Sequence, residues 1–443
     1  MNQRKTLITV FLLFLHCGLK AQTDVADSVR LDTVDYIQVG LLQAQDYAIA
    51  HNKSFENASL DVKKARVQRW QTIAAMLPQV DANGMYVNML DYSTELGATQ
   101  MKIAMPSYIT GGVTASIAVN GQMVVGALLN SVALDMQKIT YDKSQTELRG
   151  NVTKSYVAVL VMQEILELLR NSYANLEKVA EQTHKMAEVG TVESTAADQI
   201  DIRLTALQNS IKANERNLKL ATNSLRVLMG MNEREHLVLV DKIEDIMSEE
   251  NVLVALEDHF VIADNHNYRL LEKQVELAKK NVHLAAWAYG PTVSFAYQYS
   301  TRKYLSDKAT MNMNPPHTVS LTLAMPILSS GKRLAGVKEK KISLEQARNT
   351  LLETKDNLSI QDQQLRFNLA NAYETYANEK NNIKVVQHVF DNTANKYRTG
   401  SASALELATA SNDLISAQST YVQAVLTMIQ AQVELNIFLN NKR

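Results

Sequence analysis

The sequence predicts a mainly α-helical protein with a small β part, in which one helix–strand–strand–helix unit occurs twice. Three observations carry this. All six prolines (Pro78, Pro106, Pro291, Pro315, Pro316 and Pro326) fall in the windows 78–106 and 291–326, leaving 107–290 and 327–443 without one. An interior proline costs a helix about 3 kcal/mol, so the proline-free stretches are where long helices can run. The windows also match each other. "HNKSFENASLDVKKARVQRWQTIAAMLPQV" aligns without gaps on "DNHNYRLLEKQVELAKKNVHLAAWAYGPTV" at an offset of 213, placing Asn52 on Asn265 and Pro78 on Pro291. "VTASIAVN" then aligns on "VSLTLAMP" at an offset of 206, and Gly190 on Gly400 at 210. Such self-similarity marks an internal duplication. Finally, Ile200, Leu204, Leu207, Ile211, Asn214, Leu218, Ala221, Leu225 and Leu228 follow steps of four and three, as do Ala410, Leu414, Ala417, Tyr421, Ala424, Met428, Ala431, Leu435 and Phe438. That is the seam of a coiled coil.

The elements follow in order. Arg4 and Lys5 precede an apolar run from Leu7 to Leu15, and Ala21 offers a small residue for cleavage, so residues 1–21 read as a secretory signal peptide. Cys17, the only cysteine, lies inside it, and the exported chain is expected to carry no thiol or disulfide. Lipid modification of Cys17 is the other reading, opposed by the bulky His16 before it. The apolar run is too short to cross a bilayer, and no later segment is expected to reach the ~18 apolar residues a transmembrane helix needs. Repeat one, 22–240, reads as helix, strands at about 79–90 and 108–119, a long helix over 126–189, a turn at Gly190 and a returning helix over 193–229. Repeat two, 241–443, reads as a helix over 251–289, strands at about 292–300 and 317–325, a long helix, a turn at Gly400 and a last helix. The long helix makes a rod of roughly 95 Å at 1.5 Å per residue. The segments 193–229 and 251–289, each near 40 residues or roughly 60 Å, are together long enough, laid end to end with "NEREHLVLVDKIEDIMSEE" as their joint, to run back alongside it.

The strands alternate with period two. Val293, Phe295, Tyr297 and Tyr299 share one face, and in the partner strand Val319, Leu321, Leu323 and Met325 do the same. Alternation alone fits either a lipid-facing strand or a soluble sheet packed on helices. Under the lipid reading Leu323 is taken as a position near midplane. Four strands cannot close a ring, and an open sheet in lipid leaves unpaired backbone groups at several kcal/mol each, so that reading needs several chains. In the first strand Asp81 and Asn83 share a face with Met85, Val87 and Met89, which predicts a bulge or a shifted register around Gly84.

Composition excludes other classes. With 45 basic and 46 acidic residues there is no field to draw nucleic acid. No phosphate-binding glycine loop, zinc-binding H-E-x-x-H or serine elbow is present, so neither a catalytic residue nor a metal or cofactor site is expected. Glu235 and His236 read as solvated loop, His266 as a helix-start loop residue beside capping Asn265, and Asn214 as a register-setting polar residue in the seam.

Taken together, the signal peptide, the two repeats, "AMPILSSGKR" after the last strand and "YRTGSASALELATA" at the last turn resemble the TolC-like family of outer-membrane efflux channels, over about Tyr36 to Asn440. The resemblance implies a homotrimer whose twelve strands form one transmembrane barrel and whose helices form a long hollow barrel across the periplasm. It implies an exit duct that docks a periplasmic adaptor (membrane fusion) protein at the helix tips and serves an inner-membrane transporter, without cofactor or chemistry. On this chain the docking tips fall at Gly190, Thr191, Val192, Gly400, Ser401 and Ala402. The family closes its periplasmic entrance with a tyrosine, an arginine and two acids around the last turn; Tyr397 and Glu406 match, while Ala402, Thr409 and, in repeat one, Ala196 depart. Glu406 as a lumen-facing gate further requires Leu405 and Leu407 to turn into the helix packing; the alternative is a solvated helix-start glutamate. A soluble periplasmic coiled-coil scaffold would explain the helices but not the recurring strand pairs.

Overall fold

Long helices and short strands follow one another in an order that occurs twice. The computed structural model describes residues 36–90, 92–96, 101–104, 106–232, 236–246, 249–305 and 315–440; the leader, with Cys17, lies outside them. The first half runs β1 (Tyr36–Val39), α1 (Leu41–His51), α2 (Lys53–Ala74), β2 (Gln79–Val87), a small hairpin of β3 (Ser93–Leu96) and β4 (Met101–Ala104), β5 (Tyr108–Asn120), α3 (Gly121–Glu188) and α4 (Ser194–Met229). The second runs β6 (His236–Leu239), α5 (Ile243–Ile246), α6 (Glu249–Glu257), α7 (His266–Ala286), β7 (Thr292–Tyr304), β8 (His317–Ala324), α8 (Lys332–Arg398) and α9 (Ala404–Leu439).

The rods α3 and α8 have 68 and 67 residues, about 100 Å each. Asn120 starts α3 by accepting a hydrogen bond from the Met123 N–H at 2.9 Å. Gly190 and Gly400, both at φ +74°, end α3 and α8. The closing bonds match, Thr191 N–H to Met186 O and Ser401 N–H to Lys396 O, each 2.8 Å, so both tips use the same left-handed cap. Along α9 most of the seam is buried, with Leu414, Ala424, Met428 and Leu435 among it, whereas on α4 only Ile200 and Leu225 are buried and the rest of the seam is half-buried. Asn214 turns its amide to the Ser210 carbonyl of its own helix. One expectation is corrected here. By length and composition α9 is apolar enough to cross a membrane, yet that apolarity belongs to its packing on α8 and α3.

The end-to-end pairing of helices also differs from expectation. What continues α4 is α2, and what continues α9 is α7. The Asn52 side chain accepts from the Phe55 N–H at 2.9 Å, starting α2, and donates to Leu228 O at 2.7 Å, satisfying the end of α4. Asn265 does the same, accepting from Asn267 N–H at 3.0 Å and donating to Phe438 O at 3.0 Å. Each asparagine thus serves two of the orphan groups that helix ends expose. Gly230 follows α4 at φ +77°, and a Cβ there would stand 2.4 Å from the His51 carbonyl oxygen. The expected helix over 251–289 is broken between α6 and α7, where Phe260 packs tilted against Phe438 with ring centroids 4.8 Å apart. The expected joint is instead a parallel two-stranded sheet, β1 on β6, with Tyr36 opposite His236. Its Leu237 and Leu239 pack against the buried cluster that contains Tyr156 and Met229. His266 stands at a helix start beside capping Asn265 as expected, but inside the helix and not in the loop: it is the first residue of α7 and 7% exposed.

Candidate functional site

The four longer strands form one antiparallel sheet in the order β2-β5-β7-β8. Its register is unbroken. Val80, Ala115, Tyr297 and Val319 lie in one row across it; the next row toward the helices is Ile117, Phe295 and Leu321, and the row after that Val119, Val293 and Leu323. The opposite face carries Asp81, Thr114, Gln298 and Thr318 in line, with Ser294 opposite Thr322. Toward the helices one face is therefore apolar and the other small and polar. The bulge expected around Gly84 does not occur: Gly84 pairs with Gly111, and Val80, Ala82 and Tyr86 fall on the apolar face. Asp81 and Asn83 shared a face with Met85 and Val87 because those two apolar residues stand on the polar side toward the far end of the strand. The strand stops at Val87, short of the expected 90.

Among the described residues no helix covers the apolar face. Phe295, Tyr297 and Tyr299 are 39–45% exposed, and Val319, Leu321, Leu323 and Met325 are 64–75% exposed. A soluble sheet packed on the chain's own helices is thereby ruled out among the described residues. Tyr299 and His317 end the apolar band away from the helices, and His317 Nδ1 lies 2.8 Å from the Tyr297 hydroxyl. Leu323 stands one residue from the helix-side end of β8, so it marks the edge of the band and not its middle; Val319 and Tyr297 are central.

At the other end of the molecule the two hairpins are fastened together. Thr183 donates its hydroxyl to Val179 O at 2.8 Å, leaving its oxygen to accept from the Tyr397 hydroxyl at 2.7 Å. Thr183 is fully buried and Tyr397 9% exposed. Leu176, Ala180, Ile200, Ala404 and Leu407 surround this bond, with Ala402 partly buried beside them. Gly190, Thr191, Gly400 and Ser401 are exposed, and Val192 is half-buried.

Glu406 is committed locally. Its carboxylate accepts from the Ser403 N–H at 2.6 Å and the Ser403 hydroxyl at 3.0 Å, closing a capping box at the start of α9. The Ser403 backbone and side-chain bonds, with Lys396 nearby, hold its pKa below the ordinary glutamate value. Leu407 is buried, but Leu405 is 51% exposed, so only one of the two flanking leucines turns inward as the gate reading requires. Asp201, beside the departing Ala196, is engaged by His184 Nε2 at 3.1 Å. The Tyr397–Thr183 contact was not legible beforehand, because a residue pair 214 apart has no local signature. Among the described residues no group of three or more His, Cys, Asp or Glu is placed to hold a metal.

Comparison with known proteins places this geometry. The family model for outer membrane efflux proteins matches residues 45–231 and 261–441. No curated protein matches the chain by sequence. Among solved structures it is similar to CusC, described with conformational changes accompanying folding and transmembrane channel formation, at TM-score 0.75 and 16% identity over 90% of this chain and 91% of that one. It is similar to the Campylobacter jejuni CmeC outer membrane channel, at 0.73 and 14% over 90% and 85%. To the open state of the Neisseria gonorrhoeae MtrE outer membrane channel the values are 0.71 and 16%, over 95% and 96%.

Proposed function

From the premise that this chain belongs to the outer membrane efflux protein family, we propose that it forms a trimeric channel through the outer membrane, the exit duct of a tripartite efflux or type I secretion system. The coarser part is plain: the chain is an outer-membrane efflux channel with a large periplasmic helical part, in a family of channels and not enzymes.

The observation that carries the trimer is the sheet. Its edge strands, β2 and β8, each have a strand partner on one side only among the described residues, and the strands alternate in direction across the order β2-β5-β7-β8. The β8 edge of one copy can therefore join the β2 edge of the next antiparallel, and lipid leaves no alternative to closure. Two copies would give an eight-stranded barrel, whose interior side chains fill. Three give twelve strands around an open lumen lined by the small polar face. The rods, about 100 Å long, carry the duct across the periplasm. Gly190 and Gly400, at the far ends, present the exposed tips to a periplasmic adaptor, through which an inner-membrane transporter delivers cargo.

The Tyr397–Thr183 bond is the closing latch in this reading. Without charges at Ala402 and Thr409, closure rests on that neutral bond and its apolar surround, with Glu406 shaping the helix start. Purified protein in planar bilayers tests the proposal. A channel whose open fraction rises in Tyr397→Phe supports duct and latch together; a protein that washes from membranes without detergent and conducts nothing is a periplasmic scaffold.

A further inference from the structure

The chain is almost neutral as a whole, at a formal charge of −1, but its charge is not spread evenly. The fourteen residues of each helical segment next to the strands (64–77, 121–134, 277–290 and 327–340) together contain nine lysines and arginines and one acidic residue, Glu339. These segments reach about 21 Å from the sheet. Of the nine, only Lys280 and Lys340 are ion-paired among the described residues, to Glu276 and Glu339. Lys64, Arg66, Arg69, Lys279, Lys332 and Lys338 are exposed. An excess of this size, answered by only two internal acids, is expensive through self-repulsion unless something anionic lies against it.

A second feature occupies the same level. The two tryptophans lie toward the strand ends of their helices, Trp70 in the last turns of α2 and 60% exposed, Trp287 just after α7 and 48% exposed, and Tyr289, Ile327 and Leu328, also between helix and strand, are exposed. Trp287 is fixed, since a Cβ on Gly121 would meet its ring at 2.1 Å. Half-exposed tryptophan and tyrosine between an apolar band and charged residues is the pattern of a bilayer interface. Apolar band, aromatic level and basic level thus follow in that order along the molecule, continuous with the apolar sheet face.

We propose that this basic collar docks on anionic phospholipid headgroups of the membrane's periplasmic leaflet, so that lipid charge sets the depth and stability of the assembled channel. The inference rests on the reading that the apolar sheet face meets lipid. Phosphates of that leaflet lie within reach of lysine and arginine stems that pass the interface, and each cation near an anionic surface adds attraction that salt screens.

The test uses the assembled channel in nanodiscs of phosphatidylcholine alone or with phosphatidylglycerol at one part in three, comparing wild type with the sixfold variant K64Q/R66Q/R69Q/K279Q/K332Q/K338Q. Wild type should melt several degrees higher with phosphatidylglycerol in 50 mM salt, the difference should vanish in 500 mM salt, and the variant should show none. Equal melting of wild type in both lipids, or a lipid effect that persists in the variant, overturns the proposal. So does a variant whose anion-to-cation permeability changes while wild type shows no lipid effect, because the charges then line the lumen. If wild type does not insert into nanodiscs at all, the channel reading itself has failed, which is a distinguishable result.

Discussion

Replacing Val319 with arginine puts one charge in the middle of the exposed apolar band. Successive outward residues on a strand are about 6.7 Å apart, or about 5 Å along the membrane normal at a 45° tilt. From the Val293–Leu323 row to the Tyr299–His317 row that ends the apolar band there are three such steps, about 15 Å, and the same face continues through Thr301 to the Ile109–Lys303 row, about 25 Å in all. Val319 stands in the third row, close to the centre. Arginine there costs about 2–4 kcal/mol per chain and near an interface about 0–1. A threefold assembly multiplies the central cost to roughly 6–12 kcal/mol, since all three copies insert together. Leu323→Arg, at the edge, should be mild, and Thr318→Arg, on the polar face beside Gln298 and in line with Asp81, should be tolerated. The assay is the fraction of protein recovered as oligomer from the outer membrane after detergent extraction. The expected order is Thr318→Arg above Leu323→Arg above Val319→Arg. Equal recovery of the three, or loss of Thr318→Arg alone, would refute the assignment of faces.

Other perturbations follow from the helical part. Tyr397→Phe removes a buried hydroxyl bond worth about 0.5–1.5 kcal/mol and should raise the open fraction of single channels; an unchanged open fraction removes the latch. Asn265→Ala takes away a helix start and orphans the Phe438 carbonyl, a loss of about 1–3 kcal/mol, so melting should fall by several degrees, and an unchanged melt would mean that water replaces the amide. His266 titrates below its ordinary 6.5, first because burial disfavours the cation and further because Arg269 and Lys143 are near, against the opposing pull of Asn440 and Asp142. A histidine depressed in the folded state is neutral there while the unfolded chain takes up protons. Its contribution is therefore complete above pH 6.5 and lost as pH falls below that toward the folded value. Melting should drop more steeply between pH 7 and 5 in wild type than in His266→Gln; identical slopes would contradict this.

Much of the architecture was legible because it rests on local chemistry. Gly190 and Gly400 interrupt seams at matching places and take the left-handed conformation their position requires. The steps of four and three along 200–228 and 410–438 name the buried face of each returning helix. Legibility ended where distant segments decide. Asn52 and Asn265 were visible as matching helix starts, but that each also closes another helix depends on the ends of α4 and α9 arriving there. Strand β6 has only four residues and owes its existence to β1 beside it. At the first strand, Met85 and Val87 on the polar face mimicked a slip that hydrogen-bonded register excludes. Around the last turn Tyr397 was singled out in advance and its hydroxyl meets buried Thr183, whereas the engagement of the Glu406 carboxylate by Ser403 and the exposure of Leu405 were not foreseen.

The central claim is that four strands per chain close only with copies of themselves, and the mass of the detergent-extracted protein by native mass spectrometry tests it most directly. The account predicts three chains, each lighter than 49.4 kDa by its cleaved leader, with no stable smaller species while membrane-inserted. A membrane-extracted monomer, or a dimer closing eight strands, would contradict it.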